Sequence, residues 1–170
     1  MTIERNTVFS DCQKYRYTLW RVSPSGLFEM SLGNWTPYVN FVLLNPSTAD
    51  ETNDDPTIRR CVGFAKEWGY GAVCITNLFA FRATDPSVMK GQLTPVGPEG
   101  DEWIIKCARE ADVVVAAWGT HGAYNDRDNE VLGILKGVKL SCLGVTKDGH
   151  PRHPLYLPKG LKPKPFKEAL

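Results

Sequence analysis

Three short apolar runs, at residues 38–44, 72–76 and 112–118, constrain this chain more than any other feature. Each is short and nearly free of polar residues, the pattern of a strand covered on both faces. Strands buried that way pair in parallel through helical crossovers, with helices above and below the sheet. Helical segments lie where such crossovers need them. Residues 56–68 place Ile58, Cys61, Val62, Ala65 and Trp68 at helical spacing, with Asp55 as N-cap, Pro56 in the first turn and Gly69 at the stop. Residues 99–110 carry Trp103, Ile104 and Cys107 as an apolar stripe, and a third helix at about 126–135 precedes a strand at 139–143. The proline-bearing stretch 83–98 reads as a loop with at most a short helical turn. At the N-terminal side, residues 15–22 alternate in polarity, and Ser-Pro-Ser-Gly then leads to 27–32, which predicts a β-hairpin. The expected fold is α/β: a three-layer α/β/α domain over 1–170, with a mostly parallel central sheet plus an N-terminal β-hairpin.

A length of 170 residues suits a single domain, and 42% hydrophobic with 23% charged residues is ordinary for a globular protein. No apolar run approaches the roughly 20 residues that span a bilayer, and the first residues lack a signal-peptide core. Cys12, Cys61, Cys74, Cys107 and Cys142 form no C-x-x-C pair. A cytoplasmic protein without disulfides, structural zinc or membrane partner is expected. Net charge is +1, but its distribution is uneven. Residues 50–55 carry Asp50, Glu51, Asp54 and Asp55, while Lys and Arg dominate from Lys147 onward, with a basic extension at about 159–170. Such an extension suits phosphate binding or plain solvation.

In an α/β sheet the turns after parallel strands open onto one crevice, where ligands bind. Polar groups stand at those turns here. Asn45, Pro46 and Ser47 end the first run, and Pro46 stiffens the turn; a strand-closing Asx turn is the plainer reading of Asn45. Asn77 ends the second run, followed by Phe79, Phe81 and Arg82. An amide there suits the edge of a planar base, the rings suit stacking or the core, and the guanidinium suits phosphate. Gly119, Thr120 and His121 end the third run, where glycine admits a ligand close to backbone amides. After the last strand come His150-Pro151 and His153-Pro154, flanked by Lys147 and Arg152. A neutral histidine donating from a ring nitrogen stabilises charge developing on a leaving group. No Gly-rich phosphate loop, G-x-S-x-G elbow or helical His pair supports a rival chemistry, and no metal or organic cofactor is expected.

The residues N-P-S-T-A-D at 45–50 and D-P-T-I-R-R-C at 55–61 make the chain resemble a bacterial and phage family of domains of unknown function, the one numbered 1643. More distantly, its fragments fall in the order seen in the uracil-DNA glycosylase superfamily. Leu44-Asn45-Pro46-Ser47 resembles the G-x-N-P motif of the mismatch-specific and thymine-DNA glycosylase branch, whose asparagine positions the attacking water. Ile75-Thr76-Asn77-Leu78, with Arg82-Ala83-Thr84 beyond, resembles that branch's T-N-L-V…R-x-T segment; in other branches an asparagine there reads the uracil edge. Residues 111–119 resemble the strand ending in glycine before the third helix. His153-Pro154 resembles the motif whose histidine donates to the departing base.

The resemblance implies glycosidic cleavage with Asn45 and His153 catalytic. Asn77, Pro46, Ser47, Phe79, Gly119, Thr120 and His121 would bind the base or nucleotide, and Arg82, Lys147 and Arg152 would bind phosphate. The partner would be DNA or a nucleotide. The chain departs from that superfamily in having no aromatic between Asn45 and Phe64, in the carboxylates at 50–55, and in Leu155-Tyr156 after the His-Pro pair. Two alternatives stand beside it: a catalytically silent nucleic-acid-binding module, and a hydrolase of free nucleotides or nucleosides assisted by metal through Asp50, Glu51, Asp54 and Asp55.

Overall fold

The computed structural model describes residues 4–24 and 36–167. Its strands are β1 (Glu4–Phe9), β2 (Arg16–Val22), β3 (Tyr38–Leu43), β4 (Ala72–Asn77), β5 (Val113–Ala116), β6 (Leu140–Cys142) and β7 (Lys164–Pro165). They form one sheet in the order β1-β2-β4-β3-β5-β6-β7. Helix α1 (Pro56–Glu67) joins β3 to β4. Helices α2 (Pro86–Lys90) and α3 (Gly100–Glu110) lie between β4 and β5, and a 3-10 segment (Thr120–Asp126) leads into α4 (Arg127–Ile134) before β6.

The expectation of a mostly parallel sheet is corrected to a mixed one. Parallel pairing joins the central strands β4, β3, β5 and β6, whereas β1, β2 and β7 attach antiparallel. Antiparallel neighbours need no helical crossover, so both ends of the chain can add strands at the margins. The predicted hairpin is revised too. β2 pairs with β1 on one side and β4 on the other, while residues 27–32 lie outside the described part. The polar sequence Glu4-Arg5-Asn6-Thr7 hides β1 from a reading by apolar pattern, and polarity is what an edge strand requires.

Period-two alternation distributes the central strands between two cores. Val39, Phe41 and Leu43 of β3, Val73 and Ile75 of β4, and Val115 of β5 pack against Ile58, Cys61, Phe64 and Ala65 of α1. On the opposite face, Val42, Val114, Ala116 and Trp118 pack with Ile104 of α3, Val131 of α4 and Leu135 just beyond it. Burying a side chain such as Ile58 or Phe64 contributes about 1.5–3 kcal/mol. Asp55 Oδ1 accepts the Ile58 N–H at 2.9 Å, and Gly69 closes the following turn at φ +84°. The α1 start and stop thus follow the sequence signals.

The segment expected as a basic extension is tied to the sheet as far as Phe166, whose N–H donates to the Leu140 carbonyl at 2.9 Å. β7 pairs with β6, Phe166 is buried edge-on against Trp118, and Trp68 Nε1 donates to the Leu161 carbonyl at 2.8 Å. No helix among the described residues is long and apolar enough to cross a membrane.

Trp118 also dictates its neighbour. A Cβ at position 122 would lie 2.1 Å from Trp118 Cδ1, within a ring held between Gly122 and Phe166. Gly122→Ala is therefore expected to cost about 3 kcal/mol through overpacking. The corresponding fall in Tm is about 6–12 °C for a chain of this size, measured by calorimetry. An unchanged Tm would mean that Trp118 has room to move.

Candidate functional site

The connections around β3 locate the site. The chain leaves β3 through α1 to β4 on one side, then returns through α3 to β5 on the other side. The gap between β3 and β5 is thus where strand order reverses, and ligands of open α/β sheets bind outside the carboxyl ends there. A cleft of about 530 Å³ opens at that point. Its walls are Leu43–Asn45 with Ser47 and Thr48 after β3, Trp118–His121 after β5, and the first turn of α1 from Asp55 to Ile58. Ala83, Thr84 and Pro86 add another wall, and His153, Leu155 and Arg16 complete it.

Asn45 is half-buried and clamped by its own amide. Its Nδ2 donates to the Ala83 carbonyl at 2.7 Å and to the Pro46 carbonyl at 3.1 Å. The Pro46 carbonyl also accepts the Ala83 N–H at 2.9 Å, which binds the turn after β3 to the chain following β4. With both amide hydrogens engaged, Oδ1 is the polar atom left to accept from a water or ligand.

His153 is held by the opposite logic. Its Nδ1 accepts the Leu155 N–H at 3.3 Å, so the neutral tautomer carries its proton on Nε2, and that nitrogen donates. Burial pushes the imidazole pKa below its ordinary value, and the attraction of Asp55 offsets this only in part. The backbone sets its place. Gly119 N–H donates to the Pro151 carbonyl at 2.9 Å, joining the end of β5 to the His153 loop. Gly119 takes φ +71° and ψ −167°, which strains any residue with a side chain.

Six of the residues singled out from sequence meet in this cleft: Asn45, Ser47, Gly119, Thr120, His121 and His153. Ser47 Oγ lies 3.5 Å from Thr84 Oγ1, and His121 Nδ1 accepts from Lys90 Nζ at 3.0 Å on the exposed rim. The others stand apart. Pro46 is buried and acts through its carbonyl. Asn77, paired in register with Leu43, is 3% exposed and outside the cleft lining, with both side-chain polar atoms unpartnered. Phe79 belongs to the core against Tyr124, so its face is not free to stack on a base. Arg82 lies over the Phe9 ring and donates to the Gln13 carbonyl at 3.1 Å. Lys147 and Arg152 are exposed on the turn after β6, where Arg152 Nε donates to the Val145 carbonyl at 3.3 Å.

The acidic stretch 50–55 is largely structural. Asp50 Oδ1 accepts the N–H groups of Thr52 and Asn53, each at 2.8 Å, and these bonds hold its pKa down at about 2. Asp54 Oδ1 binds Arg21 at 2.8 Å and Arg5 at 3.0 Å. Asp55 caps α1 and also lines the cleft. Among the described residues no group of three or more His, Cys, Asp or Glu is arranged to hold a metal.

Two residues of the cleft are not marked as such by the sequence: Arg16, and Asp55, whose position reads only as a cap or a metal ligand. For Arg16 the available signal was a cation inside the aromatic stretch Tyr15–Tyr17; strand alternation reads it as a solvent-facing residue.

No curated protein and no solved structure matches the chain. A family model matches residues 16–155, from the strand that carries Arg16 to the far side of the His153 loop. The chain accordingly belongs to the family described as "Protein of unknown function (DUF1643)".

Proposed function

We propose that this protein binds a nucleobase, in a nucleic acid or a nucleotide, and cleaves its N-glycosidic bond. The observation that carries the reading is the complementary state of two polar side chains in the cleft, Asn45 and His153. Asn45 has spent its donors and keeps an acceptor, and His153 has spent its acceptor and keeps a donor. Glycosidic cleavage asks for both: an acceptor to hold the attacking water, and a neutral donor to meet negative charge on the departing base. The distant likeness of the 44–47, 75–78 and 153–154 fragments to uracil-DNA glycosylase motifs points the same way. A cleft of about 530 Å³ accommodates one nucleoside or nucleotide and requires a polymer substrate to extrude its base.

Asn77 and Phe79 have no part in this reading, since both are buried and neither lines the cleft. Base recognition falls instead to the groups at its walls, among them Ser47, Thr84 and Thr120. A second reading, turnover of free nucleotides, is favoured by Asp55, an acidic residue that lines the same cleft.

The test is an assay of the full chain on single- and double-stranded oligonucleotides carrying uracil, mismatched and modified bases, alongside free nucleosides and nucleotides. Free base should be released from one member of the panel and be undiminished by EDTA. Release that needs a polymer supports the first reading, and release from monomers alone supports the second. Binding without release across the whole panel would make the protein a silent recognition module and sink the catalytic claim.

A further inference from the structure

Three arginines are almost wholly buried: Arg16, Arg21 and Arg127. Two are neutralised by carboxylates. Arg21 Nε binds Asp54 at 2.8 Å, and Arg127 holds Asp101 at 2.6 Å and Glu130 at 2.9 Å. Arg16 has no ion-pair partner among the described residues. Its Nη1 donates to the Ala49 carbonyl at 2.7 Å, and its Nε has no partner. The carboxylates that act on it at longer range are occupied: Asp55 caps α1, and Asp50 closes its own turn. A guanidinium taken out of water without a counter-charge is costly, and burial drives its pKa down to about 10 despite Asp55. This exception lines the cleft of Asn45 and His153.

The backbone is irregular where it presents that side chain. β1 and β2 pair residue for residue from Glu4↔Val22 to Val8↔Thr18, then slip so that Phe9 faces Arg16 and Tyr17 is skipped. In an unbroken strand, residues 16 and 21 point to opposite faces. Here both reach the same turn after β3, Arg16 at the Ala49 carbonyl and Arg21 at the Asp50 carbonyl. The bulge has turned Arg16 toward the cleft, a use of bulges that recurs beside functional sites.

We propose that Arg16 is the oxyanion receptor of the cleft and that the ligand carries a terminal phosphate. A guanidinium is a planar fork of donors of the kind that matches a phosphate oxygen pair. A buried guanidinium is reached by the end of a ligand more readily than by a phosphodiester with chain on both sides. The assignment of the remainder as a nucleoside rests on the proposed function above, whereas the phosphate assignment rests on Arg16 alone.

Calorimetric titration of the full chain tests it, with inorganic phosphate, the common nucleoside 5′-monophosphates and the matching nucleosides as probes. Wild type should bind inorganic phosphate, and at least one monophosphate should bind about tenfold or more tighter than its nucleoside. Arg16→Met should lose phosphate binding and bring that pair within about twofold. Arg16→Lys keeps the charge without the fork and should lose at least about threefold of the preference; it carries the test should the methionine variant fail to fold. Absence of phosphate binding in wild type, or a preference that survives in both variants, overturns the proposal. Phosphate binding with no response to any nucleoside or nucleotide upholds Arg16 and removes the nucleobase reading. Nucleoside binding indifferent to phosphate does the reverse. A 5′-phosphorylated oligonucleotide set against its hydroxyl-ended twin shows whether a strand end, rather than a free nucleotide, supplies the phosphate.

Discussion

His153→Ala is expected to lower kcat/KM on the cleaved member of the substrate panel by about 10²–10³-fold, the usual consequence of deleting a positioned donor to developing charge. Asn45→Ala should lose a comparable factor, because the amide that holds the water disappears with it. Asn45→Asp keeps an acceptor but cannot donate to the Ala83 and Pro46 carbonyls, so it should not restore the activity.

The pH profile distinguishes the role of His153 from mere packing. The donor is the neutral imidazole, and burial holds its pKa below the ordinary value of about 6.5. The rate should therefore be flat above neutrality and fall only at pH below the usual histidine value. The stability linkage has a definite sign. The unfolded chain takes up the proton at higher pH than the folded one, so His153 reduces stability as pH falls below about 6.5, and His153→Ala removes that contribution. A rate that rises toward acid would mean that the protonated ring is the active form, and the proposed role would be lost.

Arg127→Ala is expected to destabilise the fold by about 3 kcal/mol without altering the cleft chemistry, read as Tm and as residual activity below the transition. Arg127 Nε donates to the Leu78 carbonyl at 2.9 Å, immediately after β4, and its two terminal nitrogens bind α3 through Asp101 and α4 through Glu130. Removing the side chain leaves a cavity and a buried carbonyl without its donor. The two carboxylates matter less, since Asp101 and Glu130 are 44% and 58% exposed and water takes over from the guanidinium. Asp101→Asn and Glu130→Gln should each cost under about 1 kcal/mol. Equal losses from all three variants would show that the ion pairs, rather than the Leu78 bond and the packed stem, hold this corner together.

The contrast between Arg127 and Arg16 shows what a linear reading lacks. Both are arginines near apolar sequence, yet one is a structural rivet and the other an unpaired charge at a cleft. The difference depends on which carboxylates the folded chain brings within reach. The acidic stretch 50–55 makes the same point. In sequence it reads as a candidate metal site, whereas a turn, an arginine clamp and a helix cap account for Asp50, Asp54 and Asp55.

The central strands and α1 are legible in the order of residues, because burial on both faces forces an apolar run and a helix start needs a cap it can accept locally. So is the placing of Asn45, Gly119 and His153 at one edge of the sheet, since parallel strands deliver their carboxyl ends together. Which neighbouring side chains reach the cleft depends on how the folded strands pair and pack. Asn77 and Phe79 are buried outside its lining, since the direction of a side chain at a strand end follows pleat and twist rather than composition. Arg16 enters it through a one-residue slip against β1, an event created by strand pairing and invisible in the order of residues.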